Sequence, residues 1–332
     1  GPACTPSGNA PPDGGGDQVV DGVDNGNGAG DDGSGAGDQA DGGDFPPSFF
    51  GAPGEATVFF SDIISGPDQG GENGEGAYVS LFGNGFGAEQ GSSTVTLGGS
   101  PVGAYPLWSQ GKITFQVPRG ATSGDIVVHT ANGESNGLAF TVQPGHIFFV
   151  ANNGRDDASG SFDDPWRTLP HAVEAIGPGD VVYALDGVSA TSEHVNEAAL
   201  SIEAEGTADG PIALLAYPGA VVTVGDPRDL QYGLRVAPPI GVHASYWVIG
   251  GIRFRGRTSA IELGGDGAVG WRIVGNDISC PDGDGPTGCF AASFATYARF
   301  LGNEVHDTGV QGASKQYHAV YFTTDSNHIE VG

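Results

Sequence analysis

Between positions 306 and 325 the chain gathers His306, Asp307, Lys315, His318, Tyr321 and Asp325, its densest run of titratable groups outside the Asp-rich start. A lysine or histidine withdraws a proton best when its surroundings bring its pKa close to the working pH. One reading therefore makes Lys315 or His318 a base, with Asp307 and Asp325 as ligands to a metal such as calcium or to hydroxyl groups, and Tyr321 beside the ligand. The other leaves Lys315 as a solvated loop cation and gives the histidines ordinary hydrogen bonds. Arg253, Arg255 and Arg257 alternate, so on a strand they share one face. They suit bidentate pairing with carboxylates or sulfates of an acidic ligand; equally, they suit salt bridges to Glu262 and Asp266. Trp247 and Trp271 either stack on flat ligand rings or pack inside a core. No GxSxG elbow, P-loop or HExxH is present, so serine-hydrolase, nucleotide and zincin chemistry falls away.

The 332 residues that must position these groups include 60 Gly and 22 Pro, and carry a net charge of −28. The first basic side chain is Lys112, and the chain has only 12 Lys and Arg in all. Duplex nucleic acid is excluded as a partner, because its binding needs clustered cations to displace counterions. An anionic membrane surface is disfavoured for the same reason. No apolar run approaches the ~18 residues of a spanning helix. Residues 1–53 are Gly, Asp and Pro with little to bury, which predicts a disordered acidic tail. Asp21, Asp24 and Asn25 lack the full spacing of a calcium loop. Cys280 and Cys289 bracket a Gly-rich loop that a disulfide would close, as expected of an exported protein.

From Thr57 onward short alternating runs are separated by Gly-rich turns: Thr57–Phe60, Tyr78–Phe82, Ser93–Leu97, Ile113–Val117, Ile126–His129 and Leu138–Val142. Strands at this spacing predict a β-sandwich. The series Tyr78-Val-Ser-Leu-Phe-Gly-Asn-Gly-Phe-Gly, Ser93-Thr-Val-Thr-Leu-Gly-Gly, Ile113-Thr-Phe-Gln-Val-Pro and Asn132-Gly-Glu-Ser-Asn-Gly-Leu-Ala-Phe-Thr-Val resembles the IPT/TIG immunoglobulin-like module, here over 54–144. That resemblance implies a spacer or interaction domain.

The third region, 145–332, opens with the strand Ile147-Phe-Phe-Val-Ala. A helical spacing follows at Leu169, Ala172, Val173 and Ile176, capped by Thr168 or Asp164. With Phe162-Asp-Asp-Pro-Trp-Arg-Thr-Leu and Pro178-Gly-Asp-Val-Val-Tyr, this resembles the N-terminal cap of right-handed parallel β-helix proteins of the pectate-lyase-like class. Val248-Ile-Gly-Gly-Ile-Arg-Phe, Ile273-Val-Gly-Asn-Asp-Ile, Phe300-Leu-Gly-Asn-Glu-Val and Ile329-Glu-Val-Gly then repeat one phrase, with glycines at 250, 275, 302 and 332. Such periodicity predicts stacked coils, with Asn276 and Asn303 in a ladder. The final phrase carries no capping element, so the natural protein is expected to continue.

The fold expectation is all-β: a tail, an Ig-like sandwich and the first coils of a right-handed parallel β-helix. The resemblance implies polysaccharide binding or cleavage along one sheet. Lyases of the class take a proton beside a uronate carboxylate with Lys or Arg, calcium or a second cation neutralising that carboxylate. The functional expectation is an exported, surface-anchored protein that binds or adheres to polysaccharide; the alternative is a polysaccharide lyase or glycoside hydrolase with part of its site beyond 332. Ala3-Cys4 and the tail after it look like the mature start of a bacterial lipoprotein, which makes Cys4 the acylated residue and this anchor the membrane link.

Overall fold

The computed structural model describes residues 54–236, 243–264, 268–281, 283, 288–309 and 317–332. The acidic segment with Cys4, the loop residue Lys315 and Asp266 all lie outside the described residues.

The sandwich forms where the alternation placed it. One sheet orders Thr57–Ser61, Tyr78–Asn84, Lys112–Gln116 and Leu107–Trp108; the other contains Ser65–Gly66, Leu138–Val142, Gly124–Thr130 and Thr94–Leu97 with two short flanking strands. Val79, Leu81, Val95, Ile113, Phe115, Ile126 and Val128 are fully buried between them. The bend after Tyr78–Asn84 needs Gly85, whose φ is +78° and whose missing Cβ would meet the Glu55 carbonyl oxygen at 2.5 Å.

Strand Ile147–Val150 starts the β-helix, and the helix Leu169–Ala175 closes its open end. Thr168 rather than Asp164 caps that helix: its side-chain oxygen accepts the His171 backbone N–H at 3.3 Å. Asp156 in turn accepts the N–H groups of Arg167 and Thr168, so the cap is held by a second residue. Leu169, Ala172 and Val173 face the solenoid interior, which removes the exposed apolar end that an uncapped coil would have.

Each full coil contributes three strands, one more than the two strands most evident in the repeat. Sheet A has seven parallel strands, from Ile147–Val150 to Glu330–Val331. Sheet B has five, from Ser189–Ala190 to Glu304–Gly309, and sheet C has five, from Ala198–Ser201 to His318–Thr323. The register corrects the repeat as read from its glycines. Val248 pairs with Arg272, Arg272 with Arg299, and Arg299 with Glu330, giving repeats of 24, 27 and 31 residues. The first phrase holds two consecutive glycines, and it is Gly251, not Gly250, that takes the positive φ shared by Gly275 and Gly302. The last phrase pairs Phe300 with Val331, one residue further along than its glycine suggests.

The asparagine ladder forms as expected. Asn276 accepts the Ile252 N–H at 3.0 Å and donates to the Ile249 carbonyl and to Asn303 Oδ1, each at 3.0 Å. Asn303 continues it by donating to the Ile273 carbonyl at 2.8 Å.

The first four strands of sheet A, up to Trp247–Gly250, are apolar on both faces. Val150, Val182, Ala184, Ile212, Leu214, Trp247 and Ile249 point into the solenoid. Their neighbours Phe149, Val181, Tyr183, Ala213, Leu215 and Val248 point outward and are as deeply buried, because they pack against the sandwich. This accounts for uninterrupted apolar strands such as Val181–Ala184 and Ile212–Ala216. Polar contacts complete the junction. The Tyr183 hydroxyl donates to the Tyr78 carbonyl at 2.9 Å and accepts the Tyr78 N–H at 2.8 Å. Tyr78 and Tyr217 both donate to Glu72 Oε2 at 2.6 Å. Arg272, nearly buried, donates to the carbonyls of Ser61 and Asp62 at 2.7 and 3.2 Å. Phe60 and Phe82, stacked at 4.9 Å, lie over Gly302 and Gly275. The sandwich is thus not a spacer swinging free of the β-helix; it covers the first strands of sheet A, while Arg299 and Glu330 on the last two stay exposed.

Candidate functional site

With the first strands of sheet A covered, the outer faces of sheets B and C are open to a ligand. On sheet B the inward residues Phe254, Ile278 and Val305 alternate with an outward charged set. Arg253 pairs with Asp277 and Asp277 with Glu304 across three rungs; Arg255, Ser279 and His306 form the adjacent row. Neighbouring rungs lie about 4.8 Å apart, so these side chains reach one another.

Asp277 is the centre of the cluster. Arg255 Nη1 donates to Asp277 Oδ1 at 2.8 Å, Arg253 Nε lies 3.6 Å from Oδ2, and His306 Nε2 lies 2.9 Å from Oδ1. Partial burial pulls the Asp277 pKa upward, but hydrogen bonds from Arg255 and His306 outweigh it and the net shift is downward. The other nitrogen of His306 faces Asp307 Oδ2 at 2.9 Å. Held between two carboxylates, the imidazole has its pKa raised, first by Asp277 and then by Asp307. A histidine so placed favours its charged form, which suits it to donate hydrogen bonds or protons rather than to take them.

Sheet C presents a second group. Ser201, Arg235, Glu262, Ala291 and Tyr321 fall in one register row. Arg235 Nε lies 3.3 Å from Glu262 Oε1, and its guanidinium sits 4.5 Å above the Tyr232 ring centre. Burial raises the Glu262 pKa, against the pull of Arg235.

These positions revise the expectations site by site. Arg253 and Arg255 do share a face, but their ionic partner is Asp277, and Glu262 belongs to Arg235. Arg257 lies past the end of strand Arg253–Arg255 and is not in the cluster. Trp271 is not at a ligand surface: it is fully buried, stacks on Trp247 at 6.2 Å and donates to the Ala244 carbonyl at 2.6 Å. Two indoles at matching coil positions fill the solenoid interior, where their N–H groups find backbone acceptors. His318 and Tyr321 lie together on sheet C with rings stacked at 4.6 Å. Asp307 is engaged by His306 on sheet B, whereas Asp325 follows the end of strand His318–Thr323 in sheet C. Among the described residues no group of three or more His, Cys, Asp and Glu is placed to hold a metal ion. Cys280 and Cys289 form a disulfide joining the end of a sheet B strand to the start of a sheet C strand, with Cα atoms 5.6 Å apart.

Asp277 itself, the centre of the sheet B cluster, is absent from the groups singled out in the sequence. Its signal is its place in the repeat: it follows Asn276 as Glu304 follows Asn303, so one coil position carries an acid in successive rungs. The Arg235–Glu262 pair, 27 residues apart, has no comparable local signature.

The class that this fold defines is an immunoglobulin-like sandwich followed by a parallel β-helix. Residues 62–142 match the IPT/TIG domain family. Pectate lyase PEL9 of Emericella nidulans is 31% identical over 108 residues, which are 30% of this chain and 25% of that protein. The crystal structure of pectate lyase Pel9A is similar with a TM-score of 0.34 and 17% identity, over 48% of this chain and 47% of that one. A rhamnogalacturonan lyase gives 0.29 and 14%, over 56% and 62%. The chain thus spans a quarter of the PEL9 protein and less than two thirds of either solved structure.

Proposed function

We propose that this chain is an exported β-helix protein that binds acidic polysaccharide along the open faces of sheets B and C. The observation that carries the reading is the outward charged row of sheet B on the side of the solenoid that the sandwich leaves free. Arg253 keeps half of its side chain in solvent and touches Asp277 only at 3.6 Å, so most of its donors remain open to a carboxylate. A polymer lying along the solenoid axis would follow such a row and meet one of its side chains at each rung. The disulfide accords with export. Anchoring through an acylated Cys4 belongs to the same reading, and the mass of the N-terminal peptide from the native host tests it.

The test is binding of the folded chain to a panel of uronate-containing polysaccharides and neutral counterparts. Arg253→Ala with Arg255→Ala is expected to weaken uronate binding by about tenfold or more, the scale of a lost charge-assisted hydrogen bond. Equal binding of uronate and neutral polymers, or none by folded protein, would sink the proposal.

A second reading, a polysaccharide lyase, is favoured by the sequence similarity to a pectate lyase. In it Lys315 or His318 is the base, Tyr321 contacts the sugar, and calcium held with Asp307 or Asp325 offsets the uronate charge. Release of unsaturated uronate ends, followed by ultraviolet absorbance with and without calcium, separates the two. A signal lost on Lys315→Ala or His318→Ala establishes the lyase; a flat trace with intact binding leaves the binding protein.

A further inference from the structure

A cleft of about 480 Å³ lies where the loops of the sandwich meet the first rung of the β-helix, away from sheets B and C. The sandwich supplies Gln69 and Arg119; the β-helix supplies His146, Phe148, Ser159 and Ser161. The backbone around Arg119 is tied down: Glu75 accepts the Arg119 N–H at 2.6 Å and Asp68 accepts the Gly120 N–H at 2.9 Å. Each carboxylate thus has one oxygen engaged by backbone, and the guanidinium has no hydrogen bond or ion pair among the described residues. Across the cleft, Asp180 Oδ1 accepts the His146 N–H at 2.8 Å and lies 3.0 Å from Nδ1, which fixes the ring and leaves Nε2 facing outward. The ring is 78% exposed and is the outermost of a layered set, 5.8 Å from Phe148, which stacks on buried Trp166 at 4.4 Å. Ser159 Oγ donates to Ser161 Oγ at 3.0 Å, so two hydroxyls edge the same space.

An unpaired guanidinium, an oriented imidazole, two hydroxyls and an amide beside an aromatic layer match the groups of one acidic sugar unit. The guanidinium fork meets a carboxylate in two parallel hydrogen bonds. Gln69 can both donate to and accept from ring hydroxyls, Ser161 keeps a proton to donate, and Nε2 of the neutral imidazole accepts. We propose that this cleft is a second glycan-binding site, which takes a uronate residue of an acidic polysaccharide and exists only because the sandwich is docked. It rests on the polysaccharide reading above, but on none of the residues of sheets B and C.

The test titrates trigalacturonate into the full chain, following heat and the imidazole NMR signals of His146 and His306. The His146 signals are expected to move, and Arg119→Ala to weaken that response at least tenfold, with Arg119→Lys recovering part of it. The trisaccharide with its carboxyls reduced to alcohols should bind at least tenfold more weakly and be indifferent to Arg119→Ala. The Arg119 side chain is exposed, so its removal leaves the fold intact, which circular dichroism checks. Heat or a His306 shift with His146 unmoved would overturn the cleft as a site while leaving the polysaccharide reading standing. No heat and no shift at either histidine, together with no binding of the polymer panel, would overturn both.

Discussion

At the scale of single residues, the charged groups of this protein divide by what surrounds them. His306 is partly exposed and sits between Asp277 and Asp307, and its raised pKa follows from those two partners. A titration by NMR should place its midpoint above that of a free imidazole, and Asp277→Asn should bring the midpoint down. Asp62 is the opposite case. It is buried beneath the sandwich, and burial raises its pKa above the ordinary 3.8 despite accepting the N–H groups of Ile63 and Ser80, both at 2.8 Å. A carboxyl with a raised folded-state pKa favours the fold most below its unfolded pKa. That contribution fades as pH rises from 3.8 through the folded value. Asn at this position keeps an oxygen for both N–H groups without the buried charge. Asp62→Asn is therefore expected to gain stability relative to the parent as pH rises from about 4 toward neutral in denaturant titrations. An unchanged difference across that range would show that Asp62 is not charged at a cost.

At the scale of elements, the coils are held in register by buried amide hydrogen bonds as much as by their apolar interior. Asn276 is 2% exposed and serves a backbone N–H, a backbone carbonyl and the next asparagine at once. Its truncation would strand partners that water cannot reach, each at about 1–3 kcal/mol. Asn276→Ala should therefore destabilise the chain by roughly 2–4 kcal/mol in chemical denaturation. Asn303→Ala should cost less, because Asn303 lies nearer solvent and supports one rung fewer. Equal losses would place the ladder's strength elsewhere.

At the scale of the whole molecule, the sandwich and the β-helix share one apolar layer. Phe149, Tyr183 and Leu215 of sheet A belong to the same buried cluster as Val79 and Phe115 of the sandwich. Two domains that share a core should unfold together, so far-ultraviolet circular dichroism and tryptophan fluorescence should report one coincident transition. Arg272 is one of the polar ties across that layer, and desolvation pushes its pKa down to about 10. Arg272→Ala leaves the Ser61 and Asp62 carbonyls short of a donor and opens space beneath the sandwich. It should lower stability by about 2–4 kcal/mol and separate the two probes. Separate transitions already in the parent would mean that the shared layer does not couple the domains.

The amino-acid sequence by itself determined what local periodicity controls. Alternation sets the sandwich strands, Thr168 and the 3.6-residue period set the cap helix, and the coil phrases set Asn276 over Asn303. Each depends on residues a few positions apart, or on one turn recurring in every rung. The tertiary structure decided what depends on register and docking. Coils of 24, 27 and 31 residues bring Asp277 against Arg253, Arg255 and His306, and Glu262 against Arg235. Only the docked sandwich turns Tyr183 and Arg272 into buried residues, and only the stacking of rungs sends Trp271 into the core. Which groups meet across rungs depends on loops of unequal length, and which face is covered depends on a neighbouring domain. The first leaves only the acid that recurs after Asn276 and Asn303, and the second only the uninterrupted apolar strands of sheet A.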